Sequence, residues 1–254
     1  MAALFGFSIY KSFLAFTALG LAFCFLGRLA LKLLARRNVD GQSIPIGAFI
    51  GTVATAWALA LGFVAADIWA VAAKADQAMI DERSAIERLI GIASSPEINA
   101  LKLKEALTGY RTAVIEDEWA GNNNIRPVQS VEVALQEIRN HVLALGGSYI
   151  PAPILTHMLN DLDILQDARN VRLAVGTTSV DPYKWYLVLL LTLMTVITIA
   201  ATHADRPRAG NAALIIFSFS ATLCLWILAI HANPYQGLEK LEPTLLLSNA
   251  TSQH

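Results

Sequence analysis

The sequence carries little charge for its length. Only 15% of its 254 residues are Asp, Glu, Lys or Arg, whereas 55% are hydrophobic, and the formal net charge is −1. Soluble domains usually contain about 25% charged residues, so the composition favours a protein of the lipid bilayer. No basic stripe is present, and binding to nucleic acid is therefore not expected.

Residues that signal catalysis or metal binding are also scarce. The two cysteines, Cys24 and Cys224, fall within apolar segments, where they are expected to act as small apolar side chains. The sequence contains no glycine-rich phosphate loop, nucleophile elbow or legible Ser/His/Asp arrangement. His203 and His231 end different apolar segments and are expected on opposite faces of the membrane, so they cannot form one metal site in a single chain. We therefore expect no enzyme activity, cofactor or metal site.

One stretch near the start of the chain lacks charge, and the stretch after it lacks helix breakers. Residues 47–66 contain no charged side chain, and about 20 such residues are enough for a helix to cross a ~30 Å hydrocarbon layer. No Gly or Pro occurs between Gly62 and Leu89, although charged residues appear there. The pattern predicts one long helix that is apolar in lipid and amphipathic beyond it.

Three further apolar segments complete the predicted fold. We predict an all-α integral membrane protein in which a helical extramembrane domain separates the second and third of four transmembrane helices. The second transmembrane helix continues into that domain. The predicted boundaries are 7–34, 44–73, 184–203 and 211–232 for the transmembrane helices, 74–183 for the extramembrane domain, and 233–254 for a polar tail.

Turn signals divide the predicted extramembrane domain into helices. Ser95 and Pro96 predict a helix start, with Glu97 in the first turn of a helix that reaches Trp119. Further helices are predicted from Ser130 to the Gly146–Gly147 pair and from Ile154 to Val175. The carboxylates of residues 116–118 are expected to lie on a solvated helix surface, or alternatively to concentrate cations at the outer mouth of a ring.

Small residues recur on one face of the second transmembrane helix, at a spacing of three or four. Such a face favours close helix packing, and the alternative is that it lines the pore of an oligomer. Thr52 and Thr55 could offer hydroxyls to that pore, and Phe49 and Phe63 could form apolar constrictions. Both interpretations hold if the small-residue face packs between copies and closes a ring, while a neighbouring face of the same helix lines the pore. The small residues are Gly47, Gly51, Thr55, Ala58 and Gly62.

Asp67 is the ionisable residue of most interest, because it lies near the outer end of the second transmembrane helix. An ionisable group at membrane depth is a functional-site hypothesis by default. The alternative is an interfacial carboxylate that is solvated, or paired with Lys11 or Lys184.

Basic residues in the short loops predict the orientation. Arg36 and Arg37 follow the first transmembrane helix, and Arg206 and Arg208 lie between the third and fourth, so both loops are expected in the cytoplasm. The helical domain and both termini are then outside. For a multi-pass protein of the bacterial inner membrane, that compartment is the periplasm.

Several short motifs, in order, resemble those of one family. The motifs are Leu59-Ala60-Leu61-Gly62-Phe63, Ala73-Lys74-Ala75, a helix with Glu82 and Ile86, Ala168-Arg169-Asn170-Val171-Arg172-Leu173, and Asn233-Pro234-Tyr235-Gln236-Gly237. From about Ile44 to Leu247 the chain resembles the bacterial bestrophin-like membrane proteins, a domain of unknown function. Asn233 and Tyr235 depart from the charged residue and Phe that are typical of the family's last motif.

The resemblance implies similarity to bestrophins, which are pentameric anion channels whose second transmembrane helix lines the pore. It also implies a cytoplasmic helical domain, whereas the Lys/Arg count in this chain implies an outer one, and our prediction follows the count. The acidic outer domain favours cations and the resemblance favours anions, so the permeant inorganic ion is left open.

The leading functional hypothesis is a homo-oligomeric ion channel in the lipid bilayer, with a pentamer possible. The alternative from another class is a non-conducting scaffold or sensor whose helical domain binds a partner protein. An enzyme acting on a lipid or envelope substrate is a third alternative.

Overall fold

A computed structural model describes residues 9–37, 46–147, 150–177, 181–236 and 241–247. These residues form helices and connecting turns, with no β-strand among them. In chain order the helices are α1 (Ile9–Arg37), α2 (Ile46–Ala93), α3 (Leu101–Ala113), a π-helix (Val114–Ala120), α4 (Gln129–Leu145), α5 (Ala152–Thr177), α6 (Pro182–Thr202), α7 (Pro207–Ile230) and α8 (Thr244–Leu247).

The chain divides into two compact units. The first unit comprises Met1–Ala70 with Ser179–Glu239, and the second comprises Val71–Thr178 with Lys240–His254. The division falls inside α2, which is unbroken over 48 residues. At 1.5 Å per residue α2 is about 72 Å long, more than twice the ~30 Å hydrocarbon thickness.

In the first unit, α1, α6 and α7 pack closely through small residues. A Cβ added to Gly27 would lie 2.7 Å from side-chain carbons of both Leu214 and Val196. A Cβ on Gly20 would collide with the Thr222 hydroxyl. These glycines let helix backbones approach, as is usual for packing between membrane helices. The core beside them includes Val64 and Ile68 of α2, Val188 and Val196 of α6, and Leu214 and Leu225 of α7.

Four regions are long and apolar enough to cross a membrane. They are Tyr10–Arg36, Phe49–Ala93, Ala152–Thr202 and Pro207–Ile230, within the part of the chain that the structure describes. Their count agrees with the four predicted transmembrane helices. The apolar composition and length of these helices describe a multi-pass membrane protein.

The first helix predicted for the extramembrane domain is wrong at its start. Residues 94–100 form turns, in which Ser95 O accepts hydrogen bonds from the amides of Ile98 and Asn99, and α3 begins only at Leu101. Asn99 has a φ of 41°, a left-handed conformation that ends local helix geometry and that Asn tolerates better than most residues. The predicted single helix to Trp119 is also two elements, because a π-helix replaces the α-helix from Val114.

Candidate functional site

The small-residue face of α2 is exposed within the first unit. Gly51, Thr55, Ala58 and Gly62 are all exposed, and a Cβ added to Gly51 or Gly62 would meet nothing within 4 Å. Gly47, the first predicted member of this face, lies in the first turn of α2. These residues are thus available to another helix without rearrangement of the subunit.

The two predicted constriction residues lie on a neighbouring face. Phe49 and Phe63 are exposed, Phe63 by 66%. At ~100° per residue, Phe63 lies about 100° from Gly62, and Phe49 lies about 40° from Phe63 around the helix. Thr52 is also exposed and lies about 20° beyond Phe63 around the helix, on the side away from Phe49. We call Phe49, Thr52 and Phe63 the phenylalanine face.

The opposite side of α2 holds the helix to the first unit. Ala60, Val64, Ala65 and Ile68 are buried there. The Trp57 indole N–H donates a hydrogen bond of 2.9 Å to the Thr192 hydroxyl of α6. About half of the circumference of α2 therefore packs inside the unit, and the other half is exposed.

Asp67 forms an ion pair with Lys184 of α6. Of the alternatives considered for Asp67, the pairing with Lys184 is the one present. Asp67 lies four residues after Phe63 and so about 40° from it, at the edge of the phenylalanine face rather than on the small-residue face. Both side chains are about two-fifths exposed, so solvent screens their attraction.

A second group of functional candidates is a charge network that is buried in the second unit. Arg172 of α5 binds both oxygens of the Glu82 carboxylate, with distances of 2.8 Å from Nε and 3.1 Å from Nη2. Its Nη2 also donates to Glu118 Oε2 at 2.9 Å. Arg169, one turn earlier, donates to the same Glu118 from Nε at 3.1 Å and from Nη2 at 2.5 Å. Two positive and two negative charges therefore meet out of contact with solvent.

Neutral side chains complete this network. The Tyr110 hydroxyl donates to Glu82 Oε1 at 2.7 Å, and the Asn124 side-chain oxygen accepts from Arg172 Nη1. The guanidinium carbon of Arg172 lies 5.5 Å from the Trp119 ring centroid, a cation–π distance. Burial, and then the negative charge of Glu82, raise the pKa of the Tyr110 phenol well above 10, against the opposing effect of Arg172. Tyr110 therefore stays a donor throughout the physiological range.

The prediction of a solvated surface for residues 116–118 is wrong for one of the three. Glu116 is exposed and Asp117 accepts a hydrogen bond from Ser130, whereas Glu118 is completely buried. Glu118 follows Val114 by four residues and Tyr110 by eight, so it continues the buried stripe of α3. Its place on the continuation of an apolar stripe is the one sequence signal for Glu118, and its pairing with the two arginines of α5 is known only from the structure.

The remaining predicted absences concern metals and disulfides. Within the described ranges, no group of three or more His, Cys, Asp or Glu side chains could hold a metal ion. Cys24 and Cys224 are both free thiols of intermediate exposure. The charge network is buried, and its ion pairs connect α2, the π-helix and α5.

A multi-pass helical membrane protein with a long, half-exposed second helix is the class that these features define. The model of the bestrophin-like domain matches residues 14–246. The chain belongs to the bestrophin-like family.

Solved structures share the fold at low sequence identity. A variant of a bacterial bestrophin homologue from Klebsiella pneumoniae has a TM-score of 0.66 and 14% identity, over 91% of this chain and 96% of that chain. Another structure of the Klebsiella pneumoniae homologue also scores 0.66 with 14% identity, over 91% and 93% of the two chains. A structure described only as a membrane protein scores 0.69 with 12% identity, over 91% and 94%. No curated protein matches the sequence.

Proposed function

We propose that this chain is the subunit of a homo-oligomeric, bestrophin-like ion channel whose pore is lined by α2. The exposed half of α2 is the observation that carries the proposal, because its small-residue face and its phenylalanine face are both exposed in the first unit. A second copy of the chain would pack against the small-residue face, and the phenylalanine faces of all copies would then surround the pore.

The two faces fit two different tasks. Small residues contribute little contact with lipid, but they let two helix backbones approach closely, so Gly51, Thr55, Ala58 and Gly62 would pack against the neighbouring copy. The phenylalanine face would then turn toward the shared axis. Rings of Phe49 and Phe63 would form apolar constrictions that gate by dewetting, with Thr52 between them as a polar contact for ions.

The family supports an oligomer that conducts inorganic ions, and the resemblance to bestrophins supports five copies. Asp67 would stand at the edge of the pore beside its partner Lys184. Because the pair has no net charge, it would add no strong preference for either ion sign, and selectivity would depend on the apolar constrictions and the ions' dehydration.

The proposed location is the bacterial inner membrane, with the second unit and both termini in the periplasm. Arg36 and Arg37, and Arg206 and Arg208, support this orientation through the positive-inside rule. A C-terminal alkaline phosphatase fusion should be active, and a C-terminal green fluorescent protein fusion dark. The reverse pair of results would overturn the orientation without affecting the channel proposal.

Electrical recording tests the proposed function. The purified full chain, reconstituted in a planar bilayer, should conduct, and Phe63→Ala should raise the conductance by widening a constriction. Phe25→Ala is the matched control, because Phe25 of α1 is also 66% exposed and should face away from the axis. Absence of current across pH, voltage and ion conditions would contradict the proposal, and a monomer without current would favour a scaffold or sensor.

A further inference from the structure

Three cations lie on one side of the packed helices α1 and α7 in the first unit. They are Arg28 and Lys32 of α1 and Arg208 of α7, and all three are exposed. A shared cavity marks this side of the pair, because Leu21 of α1 and Ile215 of α7 both line it. Arg28 follows Leu21 by seven residues, Lys32 follows it by eleven, and Arg208 precedes Ile215 by seven. Each cation therefore lies within about 20° of its lining residue around the helix.

The contacts between the two helices also place these cations at similar depths. A Cβ added to Gly210, in the first turn of α7, would lie 3.0 Å from a side-chain carbon of Leu31, so these two positions are level. Lys32 and Arg208 follow at nearly the same level on their two helices, and Arg28 lies about 6 Å deeper, one turn earlier on α1. Packed helices have axes about 8–10 Å apart, so the long side chains of Lys32 and Arg208 can reach one phosphate group.

The protein supplies no counterion to this cluster from the residues that the structure describes. Within that part of the chain, Arg28, Lys32 and Arg208 form no ion pair. The neighbouring Arg206 differs, because its Nε lies 3.5 Å from the Asp205 carboxylate. Like charges repel one another, and a cation beside apolar helix surface is poorly solvated on its lipid side. An anion from outside the chain would relieve both effects.

We propose that Arg28, Lys32 and Arg208 bind the headgroup phosphate of an anionic phospholipid. Lys32 and Arg208 lie near the ends of the membrane-crossing regions Tyr10–Arg36 and Pro207–Ile230, which is the depth of the lipid headgroups. Their side chains donate hydrogen bonds to the phosphate oxygens from two helices. Arg28 extends its guanidinium outward from one turn deeper, as long cationic side chains do at a membrane interface. Basic residues grouped between membrane helices favour anionic headgroups in this way.

Two phospholipids with the same acyl chains test the charge of the ligand. Phosphatidylglycerol carries a net negative charge, whereas the choline group of phosphatidylcholine neutralises its phosphate. The delipidated full chain in detergent is titrated with each lipid, and bound lipid is counted by native mass spectrometry. Phosphatidylglycerol should bind more tightly by roughly fivefold or more, since one cation near a membrane surface contributes about that factor. Equal affinities would overturn the proposal, and loss of the preference in excess inorganic phosphate at constant ionic strength would assign the site to a free anion instead.

Variants of single cations test the position of the site. Lys32→Gln and Arg208→Gln should each lower the affinity for phosphatidylglycerol roughly fivefold and leave the affinity for phosphatidylcholine unchanged. Lys11→Gln is the matched control, because Lys11 is also an exposed cation of α1 but lies at the opposite end of that helix. Helical circular dichroism and elution volume check that all three variants fold. An unchanged preference in folded Arg208→Gln, or an equal loss in Lys11→Gln, would contradict the proposal.

Discussion

The charge network of the second unit contains two buried carboxylates and two buried arginines, so its charges balance. Its members are Glu82, Glu118, Arg169 and Arg172. A buried ion pair is weak evidence for stability by itself, because desolvation offsets much of the attraction. Removing one member is different, since it leaves a buried charge without its counterion. Each carboxylate here serves more than one donor, so the network depends on every member.

Glu118→Gln should therefore destabilise the protein strongly. Arg169 and Arg172 would lose a charged acceptor while they remain buried, and the expected loss is about 3–5 kcal/mol of the free energy of unfolding of the second unit. Glu116→Gln is the matched control, since Glu116 is exposed and two residues away, and its effect should stay within about 0.5 kcal/mol. Chemical denaturation followed by circular dichroism measures both. Equal stability of the two variants would contradict the account of the network.

Tyr110 predicts a particular pH dependence. Its folded-state pKa is raised by burial and by Glu82, so its contribution to stability is complete below the unfolded-state pKa of about 10 and declines at higher pH. Tyr110→Phe should be less stable by about 1–3 kcal/mol at pH 8, because Glu82 loses a donor. The difference from the wild type should narrow above pH ~10. Thermal unfolding of both proteins from pH 8 to 11 measures it, and a constant difference would refute the assignment.

At the residue scale, the sequence locates Glu118 on a helix but does not reveal its ion-pair partners. Leu107, Tyr110 and Val114 form a buried stripe at helical spacing, and Glu118 lies on its continuation. A carboxylate at such a position is exposed to solvent if the buried face of the helix ends before it. If the buried face continues, the carboxylate needs a cationic partner. The partners Arg169 and Arg172 are more than 50 residues away. Local periodicity cannot supply that contact, and for this reason the burial of Glu118 had to come from the structure.

At the scale of elements, α2 is the helix that the sequence describes best. The charge-free run and the absence of Gly and Pro after Gly62 predict a continuous helix, and α2 is continuous from Ile46 to Ala93. The predicted helix start at Ser95 is wrong, although Ser95, Pro96 and Glu97 form a good helix-start signal. Asn99 adopts a left-handed backbone conformation, and α3 begins only after it. Because Asn also occurs within helices, its presence in the sequence does not predict that conformation.

The exposed face of α2 leads to a prediction about assembly. Gly62→Leu should leave the fold of the subunit intact, because nothing lies within 4 Å of an added Cβ, but it should block close approach of a second copy. The expected result is wild-type helicity with loss of the oligomer. Mass photometry in detergent measures the assembled mass.

Gly27→Leu is the contrasting variant for this prediction. A Cβ at Gly27 collides with Leu214 and Val196 inside the first unit, so this change should destabilise the subunit itself. An unchanged oligomer in Gly62→Leu would remove the small-residue face from the interface between copies.

For the whole molecule, the central claim is that copies of the chain surround an axis with the phenylalanine faces of α2 turned inward. The family and the fold establish the class of membrane protein. Copy number and axis are not properties of one chain, and neither the sequence nor a single subunit contains the contacts that define them. The claim must therefore be tested between copies.

Distances between spin labels on neighbouring subunits make that test most directly. In a background with Cys24 and Cys224 replaced by Ala, Phe63→Cys and Phe25→Cys place labels at equally exposed positions of α2 and α1. In reconstituted protein, pulsed electron paramagnetic resonance should give clearly shorter distances between copies for position 63 than for position 25. Longer distances at position 63, or no distance between copies at either position, would contradict the account.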